Sequence, residues 1–206
     1  MDYMTLASDE ELAKTIESLK ANGINAVVTE NKEEAKQKVL EMIPKQAEVM
    51  TMTSVTLETI GLPDILNESG EYDSVKTKLS GMNRETQSLE MQKLGAAPEW
   101  AVGSVHAVTQ DGKILIASNT GSQLPAYSYG SMHVIWVVGT QKIVPTVEAA
   151  MRRINDYVLP LETVRARKAY GLPEDWNSNV SKLLIVNKEV NPDRINVVFV
   201  KEKLGF

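Results

Sequence analysis

Two short stretches of this sequence gather groups that hold anions. In MTMTSVT, residues 50–56, Thr53, Ser54 and Thr56 stand where a β-run gives way to a helix. Unpaired N–H groups of a first helical turn attract negative charge, and hydroxyls add small donors. The same residues also suit plain N-capping by Thr53 or Ser54. In SNTGSQ, residues 118–123, Asn119, Thr120, Gly121 and Ser122 offer polar side chains and successive backbone amides. Gly121 can adopt φ > 0 and turn those amides toward one point, although ordinary surface turns use the same residue types. Lys142, in GTQKIVP directly after a strand end, is placed to reach a phosphate or carboxylate.

Four further residues are candidates for catalysis. His106 lies within a β-run, its ring opposite to Val105 and Ala107, and His133 opens an apolar run. A histidine titrates near neutrality and serves as acid or base; at a strand edge it is also a common structural hydrogen-bonding residue. Glu58 follows Ser54 by one helical turn, and Glu99 precedes Trp100. A buried carboxylate acts as nucleophile or base, whereas a solvated surface is its ordinary place. The basic set Arg152, Arg153, Arg165, Arg167 and Lys168 reads as a solvated helix surface.

Composition narrows the chemistry. The 206 residues include no cysteine and only two histidines. Disulfides, thiolate nucleophiles, Cys-ligated zinc and protein-held iron–sulfur clusters are thereby excluded from this chain, and a histidine metal site is poorly supplied. No cofactor or metal is expected in it. Neither G-x-G-x-x-G nor a Walker lysine occurs. A net charge of −5 and 5% aromatics argue against a nucleic-acid surface. No apolar run approaches the ~18–20 residues of a membrane span, and the acidic start MDYMTLASDEELAK lacks a secretory pattern. A cytoplasmic protein is expected.

These residues need elements to position them. Ser8 and Glu11 form a capping-box pattern ahead of Leu12, Ile16 and Leu19, which predicts a helix ended at Asn22-Gly23. A strand at residues 24–30, a helix through Ala35, Val39 and Met42, and a strand at residues 47–52 follow. That alternation implies crossovers and a parallel sheet. A helix from Val55 to Pro63, polar loop and short helix over residues 67–84, and a helix from Arg84 to about Leu94 come next. Asp111-Gly112 between two β-rich runs predicts an inserted hairpin. HVIWVVG, residues 133–139, reads as a strand covered on both faces. A helix through Val147, Met151, Ile154 and Val158 is expected to break or end at Pro160, and two β-runs form the tail. One α/β domain over residues 1–206, with a mostly parallel mixed sheet, is the expected architecture.

With ASNTGSQLP followed by SMHVIWVVGTQKIVPTVEAAMRRI, and with SVTLETIGL upstream, the chain resembles the LUD-domain family, the lactate-utilization protein C type. The resemblance runs from the first helix to Gly171, with Ser122 where many members carry threonine. It implies a Rossmann-like three-layer α/β/α sandwich similar to the sugar-phosphate isomerase and CoA-transferase superfamily. It also implies a role in oxidation of L-lactate to pyruvate beside iron–sulfur partner proteins.

The leading reading is a binder of a small anionic metabolite, with Thr53, Ser54 and Thr56 on one side, Asn119, Thr120, Gly121 and Ser122 on the other, and Lys142 as the nearby charge. The alternative is a stand-alone CoA-transferase-like or sugar-phosphate isomerase-like enzyme using Glu58, Glu99, His106 or His133 in the same cleft. A third reading is a scaffold whose apolar patch draws on Met82, Met91, Trp100 and Trp176. Self-association into a homo-oligomer is compatible with the tail strands over residues 183–200.

Overall fold

Residues 2–206 are described by a computed structural model of the chain. The chain begins α1 (Asp9–Ala21), β1 (Asn25–Thr29), α2 (Lys32–Met42), β2 (Glu48–Thr51), α3 (Val55–Thr59), α4 (Leu62–Glu68), β3 (Asp73–Ser74), α5 (Val75–Ser80) and α6 (Ser88–Ala96). Then come β4 (Trp100–Gly103), β5 (Ala107–Thr109), β6 (Ile114–Ser118), a π-turn (Ala126–Gly130), β7 (His133–Gly139), a 3-10 turn (Thr140–Lys142) and β8 (Ile143–Val144). It finishes with α7 (Val147–Arg153), a second π-turn (Ile154–Val158), α8 (Leu159–Tyr170), β9 (Lys182–Val186) and β10 (Ile195–Val200).

The expected mixed sheet resolves into two. Six strands in the order β1-β10-β7-β4-β2-β3 are all parallel. The hairpin β5–β6 joins β8 and β9 in a second sheet, ordered β8-β5-β6-β9, with only the β5–β8 pair parallel. Alternation along the strands shows how the layers stack. Val134, Trp136 and Val138 of β7 pack toward α1 and toward Val108, Ile114 and Ile116 of the second sheet. Ile135 and Val137 face the other way, onto α2, α3 and α4 through Val39, Leu57 and Leu66. The far side of the small sheet, at Ala107 and Leu115, is covered by α7. The chain is thus an α/β fold in which a second sheet shares one face of the parallel sheet with α1.

The two prolines expected to end or break helices differ in outcome: Pro63 begins a helix, and at Pro160 the helix is interrupted but not ended. Pro63 lies in the first turn of α4, after Gly61 at φ 70°, so it starts a helix where its missing N–H costs nothing. Pro160 stands just past the π-turn Ile154–Val158, and the helix continues from Val147 to Tyr170. The widened turn absorbs the proline ring and its missing donor. The tail strands part company: β10 is flanked on both sides by β1 and β7, leaving no free edge, while β9 lies at the edge of the small sheet. Trp100 is buried in the core. Among the described residues no helix is long and apolar enough to cross a membrane.

Candidate functional site

The carboxyl ends of β2, β4, β7 and β10 lie on one side of the parallel sheet, where ligands of open α/β sheets collect. A cavity of about 350 Å³ opens there. Residues 52–56 after β2, Ser104 and His106 after β4, Lys142 after β7 and Phe206 beyond β10 line it. The end of β6 and its loop, at Ser118, Asn119, Thr120 and Ser122, supply the opposite wall. The two hydroxyl-rich stretches singled out in the sequence thus face one space. The continuous helix contributes Ile154, Val158, Glu162 and Arg165, spaced to share one helical face.

Lys142 is the centre of the arrangement. Its side chain is 1% exposed. Nζ donates to Thr56 Oγ1 at 3.0 Å and to Ser104 Oγ at 3.1 Å. Both hydroxyls donate onward to backbone, Thr56 to the Leu204 carbonyl at 3.1 Å and Ser104 to that of Val137 at 2.7 Å. They therefore stand fixed as acceptors toward the lysine. No carboxylate among the described residues pairs with it. Burial, reinforced by the Arg153 charge, lowers its pKa from 10.5 to about 7.

His106 is held at every backbone and ring contact but one. Its N–H donates to the Leu115 carbonyl at 3.0 Å, its carbonyl accepts from the Arg153 guanidinium at 2.7 Å, and Nδ1 accepts the Ala117 amide at 3.1 Å. With Nδ1 an acceptor, the neutral ring carries its proton on Nε2. Burial, then Lys142 and Arg153, lower its pKa to about 3. The sequence expectation of a histidine titrating near neutrality gives way here to a ring that is neutral in that range, because an enclosed site and two nearby cations oppose its charging.

Arg153 departs furthest from the solvated helix face expected of it. It is fully buried, bonded to the His106 carbonyl, and stacked over the Tyr157 ring at 5.3 Å. Its Nε and second terminal nitrogen have no partner. Arg165, in contrast, forms a two-pronged pair with Glu162, both bonds 2.7 Å.

Three catalytic candidates stand elsewhere. His133 and Glu99 lie at the amino end of the parallel strands, where His133 stacks on Trp100 with ring centres 4.1 Å apart. Glu58 is exposed on α3 and is absent from the cavity wall. For Glu99 and His133 the physical reason is direction: parallel strands send their two ends to opposite sides of the sheet, and Glu99 immediately precedes β4 while His133 opens β7. The loop at residues 119–122 also differs from a converging amide nest. The Gly121 amide donates to Ser118 Oγ at 2.8 Å and the Ser122 amide to Thr120 Oγ1 at 3.3 Å. Gly121, at φ 86°, shapes the turn without lining the cavity. Ser54 caps α3 at a long 3.4 Å, and Thr53 accepts from Lys76 at 3.0 Å.

Ser104 joins the site without having been among the sequence candidates, although WAVGS carries the same strand-then-hydroxyl pattern as Thr53 and Ser54. The aromatic rim had no local signal. Trp, Tyr and Phe number only 3, 6 and 2, yet Tyr127, Tyr170, Trp176 and Phe206 all line the cavity.

The profile of the LUD domain matches residues 12–200. The chain belongs to the LUD domain family. That family is associated with lactate utilization in general. A DUF162 family protein from Deinococcus radiodurans, known from its crystal structure, aligns with this LUD domain at a TM-score of 0.57 and 13% identity, covering 95% of this chain and 99% of that one. At that identity the likeness concerns the fold. The crystal structure of eIF2B beta from Chaetomium thermophilum aligns at a TM-score of 0.38 and 12% identity, over 57% of this chain and 44% of that one. None of the curated proteins compared matches significantly.

Proposed function

We propose that this LUD domain binds a small organic anion, a hydroxy- or oxo-acid or a phosphorylated or CoA-linked acid, and supports oxidation of L-lactate to pyruvate beside iron–sulfur partner proteins. The observation that carries the reading is Lys142, a buried amine facing a cavity with hydroxyls for neighbours and no carboxylate to pair with its charged form. A buried charge is costly unless paired, and an anion in the cavity would supply the missing partner. Family membership directs the choice toward lactate chemistry, and a chain without cysteine would leave electron transfer to its partners.

A transferase or isomerase reaction through a free carboxylate has less support. Glu58 and Glu99 lie outside the cavity, and Glu162, which lines it, is engaged by Arg165.

Thermal unfolding with L-lactate, pyruvate, a phosphate monoester and the neutral lactamide tests the binding reading. One of the anions is expected to raise the transition, by about 2.7 kcal/mol at a hundred times its dissociation constant. Lactamide is expected to do nothing, and Lys142→Met to abolish the response. Equal stabilisation by lactamide, or none by any anion, overturns it. Restoration of growth on L-lactate in a strain lacking this chain, by the native sequence and not by the variant, tests the metabolic role.

A further inference from the structure

We infer that Lys142 is a nucleophile that forms a reversible imine with the carbonyl carbon of a 2-oxo acid held in the cavity, an inference that rests on the anion-binding reading above.

The geometry at Nζ is the basis. Thr56 Oγ1 and Ser104 Oγ take two of its hydrogens, and their own protons are committed to the carbonyls of Leu204 and Val137. Neither hydroxyl can rotate to donate back. The bond to Cε and these two contacts occupy three tetrahedral directions at nitrogen. The fourth remains, and Lys142, Thr56 and Ser104 all line the same cavity. In a neutral amine that fourth position is the lone pair.

Lys142 has Arg153 as its charged neighbour and no carboxylate to hold its proton before a ligand enters. Its lowered midpoint leaves a large share of the amine unprotonated at neutral pH, as imine-forming lysines require. His106, on the same cavity wall, stays neutral and presents Nε2–H as a donor that polarises a carbonyl without giving up its proton, while the lining Glu162 and Arg165 are paired with each other. On the facing wall Asn119, whose side-chain oxygen accepts from Ser181 at 3.3 Å, keeps its amide N–H groups for a carboxylate, whereas the Thr120 hydroxyl donates to Ser122.

The step balances within the named groups. The amine nitrogen adds to the carbonyl carbon, forming a C–N bond while the C=O π pair moves to oxygen. Proton transfer from nitrogen to that oxygen gives a carbinolamine, which loses water to leave the imine. No oxidant or reductant takes part.

The experiment is reductive trapping. The native chain is incubated with pyruvate and sodium cyanoborohydride, just above neutral pH, and peptide mass spectrometry locates the reduced adduct. The expected result is one adduct per chain, on Lys142, ahead of exposed lysines such as Lys168 and Lys188. Lys142→Arg keeps a charge and lacks the nucleophile, so it is expected to retain part of the anion response and to lose the adduct. L-lactate, having no carbonyl, is expected to give no adduct and to protect Lys142. Adducts confined to exposed lysines overturn the inference. If pyruvate still raises the unfolding transition in that case, the anion-binding reading stands and the imine alone fails; if it does not, both fail.

Discussion

Lys142 Nζ stands 3.0 Å from Thr56 Oγ1, and that hydroxyl in turn donates a hydrogen bond to the Leu204 carbonyl. The Leu204 carbonyl also accepts Gln141 Nε2 at 3.0 Å. The turn after β7, the start of α3 and the segment beyond β10 are thereby tied to one backbone oxygen. The buried amine is therefore part of the joint that closes the cavity floor.

Stability is expected to depend on pH through this group. Below about pH 7 both the folded and unfolded chains carry its proton, and the folded state bears the full cost of the buried charge. Between about 7 and 10.5 the unfolded chain keeps the proton that the folded chain has lost, so stability rises with pH. Lys142→Met removes this slope and leaves both hydroxyls bonded to their carbonyls. The variant is expected to be more stable than the native chain below neutrality, by a few kcal/mol at order of magnitude. Denaturant midpoints measured from roughly pH 6 to 10 check it; an unchanged slope contradicts the assignment.

Arg153 acts on Lys142 through charge. Arg153→Met removes the neighbouring cation, so the Lys142 midpoint is expected to move up from about 7. The His106 carbonyl loses its partner, a cost of about 1–3 kcal/mol, offset by relief of a buried guanidinium with two unmet nitrogens. Net stability is expected to stay within about 1 kcal/mol of native. NMR titration of the lysine Nζ resonance provides the readout, and an unmoved midpoint counts against the coupling.

Gly103, the last residue of β4, is required by close approach. A Cβ there would collide with Tyr127 Oη. Gly103→Ala is expected to destabilise by about 1–3 kcal/mol, the usual range for overpacking. Tyr127→Phe in the same chain is expected to recover part of that loss by removing the clashing oxygen. Additive penalties in the double variant would show that the two residues do not compete for this space.

The candidates that stand outside the cavity serve as controls. His133→Ala loses the stack on Trp100, worth about 0.5–1.5 kcal/mol. Glu58→Gln and Glu99→Gln change exposed side chains. All three variants are expected to keep the full response to the anion in thermal unfolding. Loss of response in His133→Ala without general unfolding would relocate the site.

Local patterns carried much of this protein. The Ser8–Glu11 capping box forms as its spacing implies. The Asp111-Gly112 hairpin closes with the Thr109 amide donating to Lys113 at 2.8 Å, and HVIWVVG becomes a strand buried on both faces. Thr53, Ser54, Asn119 and Thr120 could be singled out because strand ends followed by small polar residues recur where α/β sheets hold ligands. These signals lie within a few residues of one another, so short-range sterics and hydrogen bonding suffice to produce them.

The rest depended on contacts between distant parts of the chain. Nothing within GTQKIVP distinguishes a solvated lysine from one buried against Ser104 and Thr56; that follows from β7 lying beside β4 in the sheet. Arg153 occupies one position of an ordinary amphipathic helix, and its burial follows from the small sheet and His106 packing beneath it. Glu99 and His133 carry suitable chemistry but stand at the amino ends of β4 and β7, whose opposite ends form the cavity. Residue type is a local property, whereas burial, neighbouring charge and the side of the sheet on which a residue emerges are fixed when the layers stack.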